Sequence, residues 1–267
     1  MTSRTTPRIT LDTNACDIIH DPDKRPEIMP PADARRLRQS IADGEVLAFV
    51  SEATLFVECL GFADKLAYLA VAGTRNPRPV PDPRRAAVFV DLASIGIKLL
   101  HAPLIGAEIF IPDMEWAQDV VYSQSDRQGR FFAFCRNYPR HEPLITLGNS
   151  LLAGQPPVPA GRTISQGPTS LGVEIPQGWA IAIKREWDNA DEAGRKKLRR
   201  QVGPIIGEWC DTLIVGSHVG YGNDIFCTAD EGKGAGSNSL LFHGNRANLN
   251  QQGITIMSPV EVLRAIS

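Results

Sequence analysis

The sequence has no strong charge of either sign, no paired-cysteine motif and no long apolar run, and each absence removes a class of protein. Lysine and arginine number 28 against 30 aspartates and glutamates, a formal net charge of −2. A nucleic-acid or anionic partner therefore has to be met by a local patch rather than by the whole molecule. The five cysteines, Cys16, Cys59, Cys135, Cys210 and Cys227, are scattered and lack short paired spacings. That pattern fits neither a disulfide framework nor a zinc site, and reduced thiols in a cytoplasmic protein are expected. No stretch is apolar enough to span a membrane, and the opening residues MTSRTTPR lack the apolar core of a signal peptide. Internal repeats are missing too.

What is present is ordinary globular composition, 43% hydrophobic and 22% charged over 267 residues. Such a chain can bury a sizeable core as one large domain or as a small domain with a long insertion. The stretch from Glu208 to Asp230 reads as a helix, a Gly-rich turn and a strand. Trp209, Leu213 and Ile214 form an apolar stripe beside Asp211, and Ile225, Phe226 and Cys227 form a short buried run that stops before Asp230. Arg8 to Asp12 has the same grammar, a short strand that ends in a carboxylate. Its bland explanation is a helix cap, since Asp12, Thr13 and Asn14 all suit the start of a helix over 15–20.

A Pro-rich loop over 21–31 leads to an amphipathic helix over 32–42 with Ala34, Leu37 and Ile41 on one side, closed by Gly44. Glu45 to Val50 is a second buried strand, so strand, helix and strand follow in the order of a parallel crossover. Ser51 caps the next helix; Glu52 in its first turn complements the helix dipole, and Glu58 lies two turns in. Further expectations are a helix over 62–72, a Pro- and Arg-rich break over 74–85, an apolar helix over 86–100 and a strand over 105–111. A helix over 114–124, a long surface excursion over 141–178 and a charged helix over 179–201 come next. That last helix carries Lys184, Arg185, Arg195, Lys196, Lys197, Arg199 and Arg200, either a solvated face or a phosphate-backbone contact. The Gly-rich loop over 231–239 lacks the spacing of a phosphate-binding loop. A short strand over 253–258 and a helix over 259–265 close the chain.

Four acids stand out: Asp12, Glu58, Asp211 and Asp230. Two end strands and two lie on neighbouring helices, so a parallel sheet brings them to one edge, where ligands of such sheets sit. Each alone is equally well a cap or a solvated carboxylate. Together they would repel one another unless a cation intervened. Oxygen ligands suit Mg²⁺ or Mn²⁺, and such an ion supports attack on a phosphate ester. His218 reads as a buried structural histidine, and the cysteines near the acids as small apolar packing.

The order of these pieces resembles the PIN-domain family of metal-dependent nucleases. The residues that carry the resemblance are Leu11 to Asn14 (LDTN), Ser51 to Glu58 (SEATLFVE), Cys210 to His218 (CDTLIVGSH), Phe226 to Asp230 (FCTAD) and Gly253 to Leu263 (GITIMSPVEVL). The resemblance covers about 8–60 and 204–265 as a compact core, with 61–203 as an insertion, partly helical with a Pro/Gly-rich loop region. It implies a three-layer α/β/α sandwich with a central parallel sheet of about five strands. It also implies that Asp12, Glu58, Asp211 and Asp230 hold Mg²⁺ or Mn²⁺ and that Asn14 and Thr228 orient them. The implied activity is endoribonuclease cleavage of RNA, with Lys196, Lys197, Arg199 and Arg200 as backbone contacts. A toxin of a toxin–antitoxin pair, with a small antitoxin partner, and a homodimer both fall within it. Two alternatives stay open. One is a catalytically silent PIN-like scaffold that binds RNA or protein. The other is a haloacid-dehalogenase-like phosphatase with Asp12 as nucleophile, for which Asn14 stands where a second aspartate is wanted.

Overall fold

The computed structural model describes residues 6–71, 79–103, 109–118, 120–138, 142–153, 177–232 and 239–267. Strands β1 (Arg8–Leu11), β2 (Leu47–Ser51), β3 (Lys98–Leu100), β4 (Ile225–Cys227) and β5 (Thr255–Met257) form one all-parallel sheet in the order β3-β2-β1-β4-β5. Ile9, Leu11, Val50, Phe226 and Cys227 are fully buried. Unbroken apolar runs of this kind mark strands covered on both faces. Register aligns the carboxyl ends: Leu11 pairs with Val50 and Cys227, and Ser51 with Leu100. Strand order reverses at β1, with β2 and β3 on one side and β4 and β5 on the other, which opens a crevice beside the ends of β1 and β4.

Helices cover both faces, so the three-layer α/β/α arrangement with a five-stranded parallel sheet is what the chain adopts. One layer joins α1 (Thr13–His20), α2 (Pro31–Ala42), α5 (Pro83–Ser94) and α11 (Pro259–Ile266), which pack on one another. The other is dominated by α9 (Glu192–Tyr221), which lies across β2 and β3 and against α3 (Glu52–Cys59) and α6 (Gln124–Asn137). At 30 residues this helix is about 45 Å long. A Cβ on Gly216 of α9 would stand 3.1 Å from the Phe131 ring of α6, so the missing side chain is what lets the two helices approach. Gly222 (φ 65°) ends α9 in the left-handed conformation and accepts the Tyr122 ring against its backbone. Helices α4 (Phe62–Val71), α7 (Glu142–Leu152) and α8 (Gln177–Asn189) pack together, and α10 (His243–Gln251) precedes β5.

Several expectations for the middle of the chain change. The helix expected over 86–100 ends at Ser94; Gly96 (φ 88°) turns the chain, and Lys98–Leu100 becomes an edge strand of the sheet. Of the strand expected over 105–111, residues 104–108 lie outside the described residues, and Ile109 to Ile111 are not in a strand. The helix expected over 114–124 is replaced by an extended piece at Glu115 to Ala117 hydrogen-bonded to Leu99. The surface excursion over 141–178 contains α7, with 154–176 outside the described residues. The charged segment over 179–201 is two helices, since Asp191 caps a new one through Gly194 N–H.

Candidate carboxylate site at the carboxyl edge of the sheet

Asp12 follows β1 directly and is both cap and site residue. Its Oδ1 accepts the Thr13 N–H at 2.7 Å, the helix-cap bond that its sequence neighbours suggest. Its Oδ2 faces the crevice and accepts from Thr228 Oγ1 at 2.7 Å and Asn14 Nδ2 at 3.1 Å. Asn14 in turn accepts the Ala229 N–H at 2.7 Å, and Thr228 Oγ1 accepts the Asp230 N–H at 2.9 Å. The ends of β1 and β4 are thus stitched together by the two small polar residues that the family resemblance points to. Asp230 uses Oδ1 to accept the Gly232 N–H at 2.7 Å.

Burial pushes the Asp12 carboxyl up despite its three hydrogen bonds, and the charge of Asp230 adds to the shift. Asp211, on the turn of α9 that faces this edge, is raised further. Burial comes first, followed by repulsion from Asp12, Glu208 and Asp230. Three of the four expected acids therefore lie within electrostatic range of one another, and among the described residues no lysine or arginine offsets Asp12 or Asp211.

Glu58 is met by a cation instead. From the last turn of α3 it forms an ion pair with Arg85 of α5, and Arg85 also lies 3.8 Å from Asp17, which is held by Lys24 at 2.7 Å. Its partner comes from the Pro- and Arg-rich break, which local sequence pattern does not connect to α3. The acid beside Asp211 is instead Glu208, three residues earlier on α9, anchored by the Leu240 N–H at 3.1 Å. Spacing of i, i+3 on one helix face was the signal available for it. Among the described residues, no group of three or more His, Cys, Asp or Glu side chains is placed to hold a metal ion.

Glu52 is not an exposed cap. Its side chain is fully buried, and Oε2 takes His101 Nδ1 at 2.9 Å and the Ala102 N–H at 3.2 Å, while Oε1 is buried without a hydrogen-bond partner. His218 is 2% exposed, lies 3.0 Å from Thr10 Oγ1 with its ring against Phe226, and has its pKa lowered by burial to about 3. It is neutral and structural, as its apolar surroundings require. Burial raises the Cys16, Cys210 and Cys227 thiols, which pack as small apolar groups. Lys196, Lys197, Arg199 and Arg200 are exposed on the first three turns of α9.

Fold and edge together define a three-layer α/β/α protein of PIN-like, Rossmann-related shape. Comparison with protein-family models, with curated proteins and with solved structures finds no match, so the likeness is one of shape. No helix among the described residues is long and apolar enough to cross a membrane.

Proposed function

We propose that this chain is a PIN-like scaffold that binds RNA and, in the arrangement described, holds it without cutting it. The observation that carries this reading is the fate of the expected fourth acid. Glu58 is neutralised by Arg85, and among the described residues no three acid, histidine or cysteine side chains stand ready to hold a metal ion. RNA as the partner is supported by the exposed Lys196, Lys197, Arg199 and Arg200, which begin about 16 Å along α9 from Asp211. Lys65 of α4 stands close enough to Arg199 to feel its charge. Basic side chains arrayed along a helix meet backbone phosphates without reading sequence.

A second reading, a metal-dependent ribonuclease, is favoured by a different observation. Asp12 is a buried carboxyl and Asp211 a half-buried one, both held above their ordinary range with no lysine or arginine among the described residues to offset them. Their oxygen donors have the chemistry of a Mg²⁺ or Mn²⁺ site. Asp12, Asp211 and Asp230 would hold the ion, and Asn14 and Thr228 would keep Asp12 oriented. A divalent ion bound there supplies charge neutralisation and an activated water. A toxin role beside a small antitoxin belongs to this second reading. The phosphatase reading gains no support, because both ends of the Asn14 amide are used in stitching Asp12 to Ala229.

One experiment separates the two. Labelled single-stranded RNA is incubated with wild type and Asp211→Asn, in EDTA and then with Mg²⁺ or Mn²⁺. The binding reading expects salt-sensitive binding in EDTA and no cleavage in either condition. Neutralising Lys196, Lys197, Arg199 and Arg200 together should then flatten the log–log salt slope by about 3, roughly 0.7 for each phosphate that these side chains would neutralise. Metal-dependent cleavage that disappears in Asp211→Asn overturns this reading in favour of the second. Wild type that neither binds nor cuts RNA removes both.

A further inference from the structure

About two strands away along the same edge, ~10 Å from Asp12 by strand spacing, a half-exposed histidine is fixed in every direction. The backbone N–H of His101 donates to Tyr221 Oη at 3.1 Å, and its carbonyl accepts from Ser217 Oγ at 3.3 Å. Its ring is held through Nδ1 by the fully buried carboxylate of Glu52. Burying a carboxylate is costly, and what this one holds is a side chain that is 47% exposed. With Nδ1 turned inward onto Glu52, Nε2 is the ring nitrogen left to face outward.

An aromatic ring stands beside it under similar constraint. Trp116 is flanked by two backbone hydrogen bonds to β3, Leu99 N–H to Glu115 O at 2.8 Å and Ala117 N–H to Leu99 O at 2.9 Å. Its ring meets the His101 imidazole edge to face at 5.6 Å, yet it is 37% exposed. His101 also lines a small cavity together with Gln124, Arg127 and Gln128. The Arg127 guanidinium lies over the Tyr221 ring at 4.9 Å with Nη1 on the Tyr122 carbonyl at 2.9 Å. At about 40 Å³ the cavity admits a phosphate oxygen or the edge of a base and not a whole nucleoside. The base has to lie outside it, where the Trp116 ring is.

We propose that Trp116, His101 and Arg127 form a subsite for one nucleotide of single-stranded RNA, with the base stacked on Trp116 and its phosphate against Arg127. A rigid exposed ring next to a guanidinium and a fixed imidazole is the combination that unpaired nucleotides use, since every base has a face to stack. The subsite rests on the RNA-binding reading above and is independent of whether the carboxylate edge cuts.

The test is fluorescence polarisation of labelled oligo(A) in EDTA with wild type, Trp116→Ala, Trp116→Phe and His101→Ala, with inorganic phosphate as competitor and circular dichroism to confirm folding. Trp116→Ala should weaken binding by between about 5- and 150-fold, the loss of one base stack. Trp116→Phe should restore most of it, and millimolar phosphate should displace the oligonucleotide from wild type. Folded Trp116→Ala and His101→Ala proteins that bind oligo(A) as wild type does overturn the subsite and leave the RNA reading standing. Wild type that does not bind the oligonucleotide removes the RNA reading and the subsite with it. A change of oligomeric state in Trp116→Ala with unchanged oligonucleotide affinity overturns it too, and marks the patch as a protein interface.

Discussion

Two carboxylates, Glu52 buried and Asp211 half-buried, lie along one edge of the sheet, and their surroundings are opposite. At the β3 corner, Glu52 is met by a histidine N–H and a backbone N–H. At the β1–β4 crevice, Asp211 is met by the charges of Asp12, Glu208 and Asp230. The first carboxylate is answered at Oε2, with Oε1 buried and unpaired, and holds another side chain in place. The second is met by no lysine or arginine among the described residues, and a crowded, partly desolvated charge is where a ligand, a proton or a cation has most to gain. The edge therefore has a rigid corner and a charge-frustrated one, and substitutions that remove the carboxylate should act with opposite sign at the two.

The largest effect is expected at the rigid corner. Glu52→Ala leaves the Ala102 N–H without its acceptor, opens a cavity under α3 and frees His101. Removing the carboxylate also relieves its own desolvation. The net loss should be about 2 kcal/mol, between the cost of an unsatisfied donor and that of a large core cavity. Urea denaturation of wild type and variant measures it. A variant as stable as wild type would mean that Glu52 is a tolerated burden rather than a support.

The opposite sign is expected in the crevice. Asp211→Asn removes a carboxyl held well above its ordinary value, so in metal-free buffer near pH 8 it should stabilise the protein by about 1 kcal/mol, or roughly 2–4 °C in Tm. The pH dependence follows from linkage. A carboxyl raised on folding binds its proton more tightly in the native state, so its contribution is complete below the unfolded value of 3.8 and is lost as pH rises through the raised native value. The advantage of Asn over Asp should therefore shrink as the pH is lowered toward 4. If Mg²⁺ or Mn²⁺ raises the Tm of wild type and leaves that of Asp211→Asn unmoved, the frustrated corner is a cation site. Equal response of the two proteins counts against it.

The frustrated corner was largely legible in the sequence and the rigid one was not, for a physical reason. Asp12 and Asp230 stand where short apolar runs stop, and Asn14 and Thr228 sit two residues from them, so local pattern places all four at strand ends. Four of the five strands could be read because β1, β2, β4 and β5 are apolar runs bounded by turn residues. The three residues of β3 follow an apolar helix with Ile95, Gly96 and Ile97 between, and period alone does not divide them. Glu52 meets His101 only because β3 pairs with β2, so missing the strand hides the contact. Glu58 and Arg85 meet across two helices separated by a Pro-rich segment. The helix Gln124–Asn137 is harder to see because its first half is polar, and its apolar residues, Phe131, Phe132, Phe134 and Cys135, crowd into the second half that packs on α9.

The smallest expected effect tests whether the frustration is electrostatic. Glu208 adds to the upward push on Asp211 from three residues away on α9, and its Oε2 accepts the Leu240 N–H. Glu208→Gln keeps an oxygen that can accept that N–H and removes only the charge. It should stabilise the metal-free protein near pH 8 by about 0.5 kcal/mol, less than Asp211→Asn because one repulsive pair is relieved while burial of Asp211 persists. In the Asp211→Asn background the same change should do almost nothing, since the charge it relieved is gone. A double-mutant cycle reads that difference directly. If the two gains simply add, Glu208 acts on something other than Asp211, and the crevice is strained by burial alone rather than by crowded charge.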